Sequence, residues 1–144
     1  MDVMSSMRVS SSGMSANRLR MNTISSNIAN INTTRTPEGG PYRRKDVVFE
    51  AIPDAKNFGE VLNKEQSKIA RVQVTDVHVD RGAPIAKYEP HHPDADENGY
   101  VYYPNINLME EMANMIQATR AYEANATAMK AAKGMAATAL EIGR

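Results

Sequence analysis

All seven prolines of this 144-residue chain fall between Pro37 and Pro104, and all ten methionines fall outside that span, in Met1 to Met21 and Met109 to Met135. Proline breaks helices, whereas methionine and alanine favour them. The chain therefore divides into helix, non-helix, helix. Seven of its eight aromatic residues, Tyr42 to Tyr103, share the middle with the prolines. The two ends must find each other across that middle, or find partners on other molecules.

Each end carries a seven-residue repeat. Met7, Met14, Met21 and Ile28 form one row, Ile24 and Ile31 supply the positions three residues on, and Val3 begins the same partner row. Such a pattern is a heptad seam along one side of a helix. The seam is interrupted, because Ser10 and Asn17 occupy the other partner positions and Gly13 weakens the helix. Asn27 and Asn30 bracket Ile28-Ala29 near the helix end. Asparagine is a poor helix former, so both are expected to bond backbone groups of the turn or of a neighbour and to serve assembly.

At the other end Leu108, Met115, Tyr122, Met129 and Ala136 are spaced by sevens, flanked by Met112, Ala126 and Leu140. Ala118, Ala132 and Ala139 widen that stripe. Away from it, Ala121, Ala124 and Ala128 are small enough for close approach by another subunit. Asn107 followed by Glu110 resembles a capping box, and Gly143 fits the stop. A helix over 107–142 would be about 54 Å long, which calls for a partner along most of its length. The expected fold is mainly α, with long N- and C-terminal helices paired in a coiled-coil-like arrangement and a small β-rich insertion between them. Residues 1–31 with 105–144 make the helical part, and 32–104 the insertion. Both terminal segments, interrupted in this way, are expected to be largely disordered in the isolated monomer.

Within the insertion, Asn32 to Pro41 is turn chemistry throughout. Tyr42 to Ala51 reads as extended, and 53–67 as a polar loop. Ile69 to Val79 is the best strand, and its change of parity at Thr75-Asp76 predicts a bulge. Pro84, Pro90 and Pro93 interrupt the stretch after that strand, and Tyr100 to Tyr103 reads as a short strand leading into the second helix.

Catalytic chemistry finds little support. With no cysteine there is no disulfide and no thiolate metal site. Asp94, Asp96, Asn98 and Gly99 match the opening of a calcium loop, but the twelfth position is Asn105 where a bidentate glutamate is required. An Asp/Asn/Gly turn explains these residues. No Gly-rich phosphate loop is present, and Glu110-Glu111 at a helix start complements the helix dipole. No apolar run approaches the roughly 18 residues needed to span a membrane. The N-terminus lacks a continuous apolar core, so no cleaved secretory signal is expected.

Net charge is zero but unevenly spread. Residues 1–45 carry seven Lys/Arg against two Asp/Glu, and residues 46–144 carry ten against fifteen. From Tyr88 to Thr119 there are six acids and no Lys or Arg. A nucleic-acid binder shows a concentrated basic face instead. This dipolar layout suits copies or close relatives meeting head to tail; the alternative reading is simply a pair of solvated faces.

The segment Ile24-Ser-Ser-Asn-Ile-Ala-Asn-Ile-Asn-Thr33 closely resembles the signature that closes the N-terminal helix of the flagellar rod, hook and hook-associated axial proteins. Pro41 to Phe49, Tyr88 to Asp96, Asn98 to Val101, Tyr103 to Asn107 and Glu110 to Asn125 resemble the proximal-rod members of that family, in order and at the family's short length. The resemblance implies a structural protein without cofactors, not an enzyme. It implies export, unfolded, by the flagellar type III apparatus without a cleaved signal. It implies assembly with other rod subunits and with copies of itself into a helical tube that carries torque from motor to hook. In that picture the paired terminal helices line the tube and the β-rich stretch lies outside. The competing reading is a soluble coiled-coil adaptor or secretion chaperone that forms a closed dimer. A third, metal-dependent hydrolysis at His91, His92 and Asp94, has only those residues to recommend it.

Overall fold

A computed structural model describes residues 3–53 and 70–143. Helix α1 runs Val3–Ala29, strands β1 Lys45–Pro53, β2 Ala70–Val79, β3 Ile85–Tyr88 and β4 Tyr100–Tyr103 come next, and helix α2 runs Leu108–Ile142. The described residues are therefore two long helices around two hairpins. The polar loop expected at 53–67 falls, apart from Pro53, outside the described residues, as does Ile69.

The helices pack side by side and antiparallel. Gly13 faces Asn125, Met21 meets Thr119, and Asn27 meets Glu111. Each step back along α1 is thus matched by a step forward along α2. Asn107 caps α2, its side-chain oxygen accepting from the Met109 and Glu110 amides. This satisfies donors that the first helical turn leaves unpaired. Gly143 closes the helix with φ −83°, so it is not in the left-handed conformation expected of a glycine stop.

The contact rows overlap the apolar rows only in part: Ile24, Ala118 and Ala132 lie in both, while several other row positions stay at the margin. On α2 the buried positions are Glu111, Ala118 and Ala132, with Met115, Tyr122, Asn125, Met129 and Ala136 half-buried. Leu108 and Met112, part of the stripe by their spacing, turn outward at 42% and 48% exposure. On α1 the buried residues are Ser10, Gly13, Ala16, Thr23, Ile24 and Asn27, while Met7, Met14, Met21 and Ile28 are only half-buried at the margins. Small and polar side chains, not methionine, occupy the centre of the contact. Their size lets the backbones approach, and hydrogen bonds compensate for the polarity they bury.

β1 and β2 form an antiparallel pair whose register shifts between Val48 and Phe49, leaving Thr75 as the extra residue. The bulge falls where the parity change in the sequence placed it. It turns Val77 and Val79 outward, while Ala70, Val72 and Val74 stay half-buried. The hairpin lies on α1: the Val72 amide donates to Ser12 Oγ at 3.2 Å, and the Arg20 guanidinium sits 6.0 Å from the Phe49 ring centroid. β3 and β4 pair from Ile85↔Tyr103 to Tyr88↔Tyr100. Sequence pattern alone does not reveal β3, because Pro84 and Pro90 bracket only a few residues. Edge strands flanked by proline are nonetheless permitted. The core is thin: Ile24, Val47, Val101 and Ile106 are its larger buried apolar side chains among the described residues, joined by Ala16, Ala118 and Ala132.

Candidate functional site

The densest chemistry lies where the end of α1, the start of β1 and the first turns of α2 converge. Asn27 and Glu111 are both fully buried. Asn27 Nδ2 donates to Glu111 Oε2 at 2.9 Å and to the Lys45 carbonyl at 2.8 Å. Asn27 Oδ1 accepts from the Lys45 amide at 2.9 Å and from the Tyr42 hydroxyl at 3.1 Å. The other oxygen of Glu111 accepts from Arg44 Nε at 2.8 Å. Tyr42 Oη also lies 3.2 Å from Ser26 Oγ. One asparagine thereby ties α1 to the backbone of β1 and to the first turn of α2.

The electrostatics are self-consistent. Partial burial would lower the Arg44 pKa, but its hydrogen bond and charge contact with Glu111, helped by Asp46 and Glu110, outweigh that and hold it above the ordinary arginine value. The guanidinium stays charged, so the buried carboxylate keeps its counter-ion. No buried side-chain nitrogen or oxygen among the described residues lacks a hydrogen-bond partner. This network joins α1, β1 and α2 and fixes their register.

Asn30 has a local role. Its Nδ2 donates to the Ser26 carbonyl, and its Oδ1 accepts from Thr33 Oγ1. It closes the turn after α1, as expected of an asparagine at a helix end. The loop from Glu89 to Gly99 is likewise committed to its own geometry. Asp96 Oδ1 accepts from the Asn98 and Tyr100 amides, and Gly99 takes φ +81°, the left-handed region that favours glycine. Asp94 bonds Thr34 and pairs with Arg35, tying this loop to the turn after α1. Among the described residues no group of three or more His, Asp or Glu side chains could hold a metal ion. No helix there is long and apolar enough to cross a membrane.

A second contact lies midway along the helices. A Cβ on Gly13 would stand 2.9 Å from Asn125 Oδ1, closer than such atoms come. Asn125 is held there by its own Nδ2, which donates to the Ala121 carbonyl at 2.8 Å. The glycine that weakens the α1 heptad on paper is thus the notch that admits Asn125. Gly13→Leu is expected to destabilise the helix pair by about 1–3 kcal/mol, since overpacking outweighs the better helix propensity. Asn125→Ala in the same chain is expected to restore part of the loss. Urea unfolding followed by circular dichroism measures both; a Gly13→Leu chain as stable as its parent would show that the contact is loose.

Comparison with known proteins bears on these two helices directly. A family model described as flagella basal body rod protein matches residues 7–35, and one described as flagellar basal body rod FlgEFG protein C-terminal matches residues 97–142. The flagellar basal-body rod protein FlgC of Borreliella burgdorferi is 42% identical, over 99% of this chain and 98% of that one. This chain belongs to the flagellar basal-body rod protein family. The FlgC of Bacillus subtilis is 41% identical over 96% of this chain and 97% of its own, and that of Escherichia coli O157:H7 is 35% identical over 94% of each. The two rod-family segments contain α1 from Met7 on with the turn after it, and β4 with α2. They hold Asn27 and Glu111, the two fully buried members of the junction.

Proposed function

We propose that this chain is a structural subunit of the flagellar basal-body rod, in its proximal part. The observation that carries the reading is the end-to-end match to relatives named FlgC, at 35–42% identity. The physics agrees with it. The helix pair is long and thinly cored, and its outer faces carry apolar side chains that a closed monomer would cover. Such a subunit packs with other rod subunits and with copies of itself into a helical tube that transmits torque. The paired helices line that tube and the hairpins lie outside. The chain reaches the rod, unfolded, through the flagellar type III export apparatus. Weak intrinsic stability of the helix pair suits that route.

Sedimentation of the purified chain, with and without basal-body rod partners, tests the reading. A rod subunit co-assembles without closing, whereas an adaptor or chaperone forms a dimer of fixed mass. A discrete dimer indifferent to rod partners would overturn the proposal.

The outward face of α2 gives a second test. Ala124 is exposed. Ala124→Phe is expected to leave the subunit's fold and export intact but to exclude it from rods. Overpacking a close contact costs about 1–3 kcal/mol, repeated at each equivalent site. Immunoblots of the exported fraction and of purified basal bodies separate the two steps. Normal incorporation would mean that Ala124 faces solvent or the lumen.

A further inference from the structure

The turn after α1 and the start of β1 border an open groove of about 470 Å³, beside the Asn27 junction. Arg35, Arg43 and Lys45 line it, against a single acid, Glu38. All three cations are exposed. Arg35 is matched by Asp94 at 3.9 Å. Arg43 and Lys45 have no carboxylate partner among the described residues; Lys45 lies 5.7 Å from the Tyr42 ring centroid instead. The wall of the groove is fixed by its own backbone. The Thr36 amide donates to the Gly40 carbonyl at 2.9 Å, and the Gly39 amide to the Thr36 carbonyl at 3.0 Å. The result is a preformed basic recess, suited to an acidic knob.

The same chain carries such a knob. Glu97 is exposed, with no partner among the described residues, on the turn Asp96-Glu97-Asn98-Gly99 between β3 and β4. Three hydrogen bonds hold that turn. The Gly99 amide donates to the Asp96 carbonyl at 3.0 Å, and Asp96 Oδ1 accepts from the Asn98 and Tyr100 amides at 2.9 and 2.8 Å. Two surfaces already ordered lose little freedom when they meet. No Lys or Arg lies between Tyr88 and Thr119, so no like charge enters the recess with Glu97. The other exposed acids among the described residues lie on strands, on α2 or, for Glu38, in the groove itself. Within one chain the two segments already match: Thr34 Oγ1 donates to Asp94 at 2.8 Å, and Arg35 pairs with the same carboxylate. That contact engages Arg35 alone of the three cations.

We propose that this groove receives the Asp96–Gly99 turn of a second copy of the chain, with Glu97 set against Arg43 and Lys45. The proposal rests on the rod reading above and specifies one contact between its outer parts, away from the helix pair. Groove and turn are different surfaces, so the interface is heterologous and leaves a free groove and a free turn for the next copy. Opposite charge steers the approach and fixes which turn enters, while a turn carrying a cation at the same place is repelled.

The chain has no cysteine, so introduced thiols are its only ones. The test co-expresses two full-length versions, one with Glu38→Cys in the groove and one with Asn98→Cys on the turn, in cells that build basal bodies. Both positions are exposed, and neither change removes Glu97, Arg43 or Lys45. Purified basal bodies are treated with a short bismaleimide. The expected product is a dimer containing both versions, absent when either version is expressed alone. Glu97→Arg, added to the Asn98→Cys version, is expected to abolish that dimer or to exclude the version from rods. Arg43→Glu, added to the Glu38→Cys version, is expected to restore what Glu97→Arg removed. Failure to form the mixed dimer, a dimer indifferent to Glu97→Arg, or a loss that Arg43→Glu does not cure would overturn the proposal and leave the rod reading intact. Absence of the unsubstituted chain from purified basal bodies would instead overturn the rod reading itself.

Discussion

Arg44→Met is expected to destabilise the chain by about 3–5 kcal/mol, because it strands a buried carboxylate without its counter-ion. Glu111 is fully buried, and Arg44 Nε is its charged partner at 2.8 Å. Methionine fills similar space but leaves the carboxylate with the neutral Asn27 amide as its donor. Folded domains hold only about 5–15 kcal/mol in total, and a chain with so thin a core sits at the low end. The helical signal in circular dichroism is therefore expected to fall sharply, and incorporation into basal bodies to fail. The double variant Arg44→Met with Glu111→Leu is expected to recover most of the stability, since a buried ion pair can often be replaced by well-packed apolar groups at little cost. The cycle isolates the charge from the packing. If Arg44→Met unfolds at the same urea concentration as its parent, the pair adds nothing to the junction.

The coarse fold is legible because proline and methionine separate so sharply along the chain. The bulge is legible too, since Val72 and Val74 on one face and Val77 and Val79 on the other can be reconciled only by one extra residue. The contact rows are legible only in part: Ile24, Ala118 and Ala132 lie in the apolar rows and are buried. Apolar periodicity selects Met7, Met14 and Met21, whereas the centre of the contact belongs to Ser10, Gly13 and Asn27 against Glu111, Ala118 and Asn125. Periodicity registers hydrophobicity, and this interface is set by closeness and hydrogen bonding. Glu111 reads as a helix-dipole residue because its partner lies 67 positions away, on an element with no periodic relation to α2. A signal is nevertheless present. Asn27, Tyr42, Arg44 and Glu111 all fall within the segments that carry the family resemblance, and four hydrogen-bonding residues in such segments with no catalytic pattern point to a structural network. Helix propensity alone marks Asn27 and Asn30 as bonding residues. The structure separates their tasks: Asn30 bonds its own turn, and Asn27 bonds across three elements.

Asn27→Leu therefore carries the other large expected effect. Leucine matches asparagine closely in shape, so the change removes bonding and leaves packing nearly unaltered. It deprives the Lys45 amide and carbonyl of the side chain that bonds both, and it removes the neutral donor to Glu111. A buried backbone group left unpaired costs about 1–3 kcal/mol, and the two Lys45 groups, only part-buried, together are expected to cost about that much. Tyr42 is affected less, because its hydroxyl still has Ser26 within reach. Asn27→Asp supplies the contrast. It keeps the shape and the acceptor oxygen, but it sets a second carboxylate 2.9 Å from Glu111 where a donor stood. Like charges that close in a buried site repel, so aspartate is expected to be no better tolerated than leucine. Export requires an unfolded chain and is expected to survive both changes, while rod assembly requires the junction and is expected to fail. Swarming in soft agar, together with immunoblots of exported protein, reads the two steps separately. Full motility of the Asn27→Leu strain would mean that α1, β1 and α2 hold their register without this side chain, and that the buried network is incidental to the rod.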